Sequence, residues 1–117
     1  YLRDAMGLAM GCADLCVCRS GASTLGELPF FGLPSILVPY PHAWRYQKVN
    51  ADWLADRGAG IVMPDDRLSV DLLPAVRDLL GDAVRLSQMA AQARSLAQPD
   101  GAWNVGRELL RLAGASA

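Results

Sequence analysis

The apolar run Leu15-Cys16-Val17-Cys18 passes directly into Arg19-Ser20-Gly21-Ala22-Ser23-Thr24-Leu25-Gly26-Glu27, and no other stretch restricts the fold as strongly. A short buried strand that ends in Ser-Gly and opens a helix leaves the first helical amides without intrahelical partners, pointing at one spot. Those amides, with a helix dipole equivalent to about half a positive charge, suit an anion such as a phosphate. Arg19 adds a cation at the strand end. Glu27 lies about one turn into the helix, where a carboxylate can accept two hydrogen bonds from a vicinal diol, as acidic residues do with riboses in nucleotide folds. Residues 19–27 are therefore expected to form a nucleotide diphosphate site, while Ser20 and Ser23 equally suit helix N-caps.

The rest of the chain supplies a frame for that turn. With 117 residues, 52% of them apolar, it is long enough for one domain with a true core and too short for two. It begins at Tyr1 and carries no signal-peptide layout, so it is expected to be the C-terminal part of something longer. A net charge of -1 with both signs mixed along the chain gives no basic face for a nucleic acid. No apolar run approaches the roughly twenty residues needed to cross a bilayer. Cys12, Cys16 and Cys18 lie in apolar context, and no second Cys pair or nearby His completes a metal ligand set, so buried free thiols are expected.

In chain order, residues 4–13 read as a short helix in which Gly7 and Gly11 let another backbone come close. Residues 14–18 form the first strand and 22–31 the helix after it, shortened or kinked by Pro29 and stopped by Gly32. Residues 35–38 are a continuous apolar run suited to a parallel strand covered on both faces, which completes a right-handed βαβ unit. The proline-stiffened loop 39–45 leaves that strand at the same edge as Arg19, with Tyr40 and Trp44 as flat walls. His42 is the only histidine, and no carboxylate is placed to orient it, so it is not nominated as a base. A helix over 46–57 carries Val49, Trp53 and Leu54 at helical spacing, with Gln47 and Asn50 on a neighbouring face. That amide pair can read sugar hydroxyls or serve as capping and solvent contact. A third strand over 61–63 ends at Pro64. Helices follow over 69–80 with Ser69 as cap and Pro74 marking a late start, 82–96 capped by Asp82, and 103–112 with Val105, Leu109 and Leu112 inward. Met and Trp in this part are expected in the core.

The ordered set Ala13-Asp14, Arg19-Ser20-Gly21-Ala22, Thr24, Glu27, Gly32-Leu33-Pro34, Val38-Pro39, Gln47, Asn50-Ala51 and Gly58-Ala59 resembles the C-terminal domain of the MurG glycosyltransferases, members of glycosyltransferase family 28. The resemblance runs from Tyr1 to the Pro99-Asp100-Gly101 turn. It implies the Rossmann-like C-terminal half of a GT-B enzyme: an α/β fold, a parallel sheet with helices on both faces and a helical C-terminal cover. The N-terminal acceptor domain and the first donor-domain strand are then missing from this chain.

The activity implied is inverting transfer of N-acetylglucosamine from UDP-N-acetylglucosamine to lipid I in peptidoglycan synthesis. The same resemblance implies roles in cell wall biogenesis, cell shape and division, and peripheral association with the cytoplasmic face of the bacterial plasma membrane. In that resemblance the segment of Tyr1 and Leu2 meets uracil, the helix start Ala22-Ser23-Thr24 meets the diphosphate, Glu27 holds the ribose and Gln47 reads the N-acetylglucosamine. Together with the reading of the residues themselves, the expected substrate-binding set is Leu2, Arg19, Ser20, Gly21, Ala22, Ser23, Thr24, Leu25, Gly26, Glu27, Gln47 and Asn50. The general base is expected in the missing half, and no cofactor or metal is implied, in line with the lack of an Asp-x-Asp pair. Two departures stand out: Tyr46 replaces the family's Gln or His, and an extra residue between Tyr1 and Met6 leaves the uracil contact open between Leu2 and Arg3. Two other readings fit the same residues: the donor half of another UDP-sugar transferase acting on a glycolipid or dolichol-linked acceptor, and a UDP-sugar-binding module without catalysis.

Overall fold

The computed structural model describes residues 2, 4–42 and 44–114. Three short strands, β1 (Cys16–Cys18), β2 (Ser35–Leu37) and β3 (Gly60–Val62), form a parallel sheet in the order β1-β2-β3. Cys16 pairs with Ser35 and Ser35 with Gly60, so the three carboxyl ends finish level at one edge. The helices are α1 (Met6–Cys12), α2 (Thr24–Phe31), α3 (Trp44–Ala55), α4 (Leu68–Gly81), α5 (Ala83–Ser95) and α6 (Gly101–Leu112), with a 3-10 turn over Asp65–Arg67.

The alternation of side chains along the strands sorts the core into two layers. On one face Leu37 packs with Leu28, Leu33, Ala51, Leu54 and Ala93, and Cys16, Cys18 and Val62 join them. On the other face Ile36 and Val38 pack with Met63, Leu79 and Met89. Helix α5 contributes to both layers, Ala93 to the first and Met89 to the second, so it ties the two faces together. All of β2 is buried, as a central parallel strand with helices on both sides requires. The expected α/β architecture is the one observed.

Differences in detail have local causes. The second helix begins at Thr24 rather than residue 22, because residues 22 and 23 are spent in a turn. Pro29 is accommodated within α2 and buried there, and Gly32 ends the helix at φ 61°. Pro74 does not delay α4, which starts at Leu68 with Arg67 rather than Ser69 in the cap position. Asp82 does cap α5, its carboxylate accepting from the Arg85 amide at 2.9 Å. Gly7 and Gly11 face the Phe31 ring, not another backbone. In α3 the inward residues are Ala51 and Leu54, while Val49 and Trp53 face outward. Helix α6 buries none of Val105, Leu109 and Leu112, and Trp103 is exposed with them, contrary to the pattern-based expectation. Cys12 is exposed and Cys16 and Cys18 are half-buried, so the thiols are free as expected but not sealed.

Candidate functional site

The site is built where β1 hands over to α2. The helix opens with tight turns, the Thr24 amide donating to the Gly21 carbonyl at 3.2 Å and the Leu25 amide to that of Ala22 at 3.3 Å. The Thr24 hydroxyl also donates to the Gly21 carbonyl. These bonds use up the amides of residues 24 and 25 and move the unspent donors one step earlier. Among the described residues, the amides of Gly21, Ala22 and Ser23 have no acceptor. Gly21 is half-buried and Ala22 and Ser23 are exposed, so the donors reach solvent. Ser23 has helical φ and ψ and makes no side-chain cap, so its hydroxyl is not spent on α2.

Glu27 is exposed and borders a cavity of about 380 Å³ with Ser23, Gly26, Phe30, Phe31, Gln98 and Pro99. Gly26 lines it without a side chain, and Leu25 turns inward against the core. The Glu27 carboxylate also lies near Cys18, whose thiol is pushed above its ordinary range by its hydrogen bond to Cys16, by burial, and by the Cys16 and Glu27 charges. Cys16, in turn, is lowered to about 7 because Cys18 donates to its sulfur.

Ser20 is completely buried, its hydroxyl donating to the Gln47 backbone carbonyl at 2.7 Å, and so it fastens the turn to α3 instead of facing outward. Asn50 donates through Nδ2 to the Ser20 carbonyl at 3.0 Å. Gln47 accepts the Tyr40 amide on Oε1 at 2.9 Å, which leaves Nε2 as a donor. Both amides expected beside a sugar therefore brace the loop around the turn with one end and keep the other end available. Tyr46 is exposed beside them. Leu2 is exposed, while Tyr1, Arg3 and the Trp44 side chain, named in the sequence analysis, lie outside the described residues. His42 is exposed, its ring edge-on to Tyr40 with centroids 5.5 Å apart.

Arg19 takes a different direction from the one its position invites. Its guanidinium forms an ion pair with Asp65, donates to the Val38 carbonyl at 3.4 Å and lies over the Tyr40 ring at 5.3 Å. Its charge is thus compensated at the ends of β2 and β3. Asp65 is the member of this group that the sequence reading passed over. Its signal was available: it follows Pro64 at the end of the third strand, at the edge where the other loops gather. Beside it a larger cavity of about 690 Å³ is lined by Pro39, Pro41, Lys48, Val62, Pro64, Asp65 and Asp66.

An open parallel sheet whose carboxyl edge presents unspent amides, with Ser23 and Glu27 lining one cavity, is built as the nucleotide-binding halves of α/β proteins are. Comparison with known proteins narrows that class. The model of the glycosyltransferase family 28 C-terminal domain matches residues 1–105, and the chain belongs to this family. It is 48% identical over 117 residues to the UDP-N-acetylglucosamine–N-acetylmuramyl-(pentapeptide) pyrophosphoryl-undecaprenol N-acetylglucosamine transferase of Methylococcus capsulatus, covering 98% of this chain and 33% of that protein. The protein of the same name from Chlorobaculum parvum is 43% identical over 114 residues, covering 96% and 31%. The crystal structure of Acinetobacter baumannii MurG superposes with a TM-score of 0.79 at 34% identity, covering 90% of this chain and 32% of that one. The chain therefore spans about a third of the length of the curated relatives it matches.

Proposed function

We propose that this chain is the donor-binding domain of an inverting transferase that moves N-acetylglucosamine from UDP-N-acetylglucosamine onto lipid I, giving lipid II for peptidoglycan. The observation that carries the reading is the run of unspent amides of Gly21, Ala22 and Ser23 at the start of α2, with Ser23 and Glu27 lining one cavity. The amides receive the pyrophosphate oxygens, and Glu27 takes the ribose hydroxyls. Gln47, through its free Nε2, and Asn50 stand beside the sugar, and Leu2 lies on the uracil side.

During transfer the acceptor hydroxyl attacks the anomeric carbon on the face opposite UDP. The leaving diphosphate gains charge as that bond breaks, and fixed amide donors with the α2 dipole stabilise it more in the transition state than in the ground state. The base that takes the acceptor proton and the site for the lipid-linked acceptor belong to an N-terminal domain beyond this chain. The enzyme then works peripherally at the cytoplasmic face of the bacterial plasma membrane, in the service of cell shape and division. The names carried by the relatives support the choice of sugar and acceptor.

The test is calorimetry of UDP-N-acetylglucosamine binding to wild type and Glu27→Ala. Losing charge-assisted hydrogen bonds of about 1.5–3 kcal/mol weakens binding roughly 10- to 100-fold. Equal affinities remove Glu27 from the site.

A further inference from the structure

Three strand ends meet at the Arg19 guanidinium. Arg19 comes from the end of β1, the Val38 carbonyl and the Tyr40 ring from the end of β2, and Asp65 from the end of β3, and one guanidinium touches all of them. The same Tyr40 whose ring lies under Arg19 donates its backbone amide to Gln47 Oε1 at 2.9 Å. The carboxylate is therefore linked through two residues to the amide that faces the sugar under the proposed function, on which this inference rests.

We infer that Asp65 is a positioning residue for donor-sugar recognition: by holding Arg19 against Val38 and Tyr40 it sets the loop whose amide fixes the orientation of Gln47. Both side chains are partly exposed, Arg19 at 46% and Asp65 at 34%, but the Asp65 Oδ1 atom that meets Arg19 is sealed from water. Without the carboxylate, the half-exposed guanidinium gains water and leaves the Tyr40 ring. Without the guanidinium, a sealed carboxylate oxygen loses its partner, which costs more in stability. Asp65 substitutions are thus the ones that release the loop with the least damage to the fold. A guanidinium rather than an ammonium suits the position, since a planar group can stack on a ring while pairing with a carboxylate at its edge.

The experiment uses the full-length protein that carries this chain, with Asp65→Asn, Asp65→Glu, Tyr40→Leu and Gln47→Ala, assayed for transfer from UDP-N-acetylglucosamine and from UDP-glucose. Asp65→Asn is expected to raise the KM for UDP-N-acetylglucosamine about tenfold, within the range of couplings between linked residues, while changing kcat about twofold or less. Discrimination against UDP-glucose falls by a similar factor, Asp65→Glu restores part of it, and Tm is unchanged. Tyr40→Leu, at a half-exposed position, shifts KM in the same direction. In the Gln47→Ala background Asp65→Asn has no further effect on KM. Equal KM and discrimination in wild type and Asp65→Asn overturns the inference alone, as does full additivity of Asp65→Asn with Gln47→Ala, or a loss of Tm with both donors affected alike. A wild type that transfers nothing from UDP-N-acetylglucosamine overturns the functional reading and this inference with it.

Discussion

At the scale of single residues, the chemistry near the turn is set by which groups have already found partners. Ser20 carries a hydroxyl where an anion ligand is expected, yet that hydroxyl is committed to the Gln47 carbonyl. Arg19 has the charge, and Asp65 holds it. What stays unspent among the described residues is the set of amides of residues 21–23, and this was legible because a short strand that passes through Ser-Gly into a helix leaves the first amides without partners. The partners of Ser20 and Arg19 could not be read, since they lie 19 and more residues away in the chain. The Cys16–Cys18 pair gives a prediction at this scale. Cys16 is lowered from 9.0 to about 7 by the Cys18 thiol that donates to it. Between these two values the unfolded chain keeps a proton that the folded chain has lost, so the Cys16 contribution to stability rises with pH from about 7 to 9 and is lost as pH falls through 7. In a Cys12→Ser background, thiolate absorbance at 240 nm is expected to rise with a midpoint near 7, and Cys18→Ala to move that midpoint upward. A wild-type midpoint of 9 contradicts the hydrogen bond.

At the scale of elements, the β1–α2 and β2–α3 connections were legible because each combines a change of period with a glycine or proline stop. The sheet register was not, since it depends on which strands meet. Gly60 records that meeting: a Cβ there would lie 2.8 Å from both the carbonyl oxygen and the hydroxyl of Ser35, the residue beside it in the register. Backbone cannot yield as a flexible side chain does. Gly60→Ala is therefore expected to cost about 1–3 kcal/mol, the range for overpacking, seen as a lower urea midpoint with unchanged m-value. An unchanged midpoint means that β2 and β3 are not in this register. The outward turn of Val49 and Trp53 has the same origin, because helical spacing gives a stripe without saying which stripe the sheet covers.

At the scale of the whole molecule, the extents are 55 × 32 × 31 Å and the radius of gyration is 16.3 Å. A compact chain of this length has a radius of gyration of about 13 Å, so part of it stands away from the core. Helix α6 is that part by its exposure: Trp103, Val105, Leu109 and Leu112 are all uncovered. Its amphipathic pattern was plain in the sequence, but the pattern carries no information on what the apolar side meets. In this chain Leu109→Ser should therefore change stability by no more than about 0.5 kcal/mol, whereas Leu54→Ala, in the core, should cost about 2–5 kcal/mol. Comparable losses for the two in urea unfolding contradict the placement of α6. The site, by contrast, depends on the packed part, where three level strand ends hold the turn, the loop and α3 in one frame. A crystal structure of the full-length protein with UDP-N-acetylglucosamine tests that account most directly. Pyrophosphate oxygens within about 3 Å of the amide nitrogens of Gly21, Ala22 and Ser23, with the Glu27 carboxylate on the ribose hydroxyls, is the predicted result. A diphosphate seated elsewhere, with those amides facing water, contradicts it.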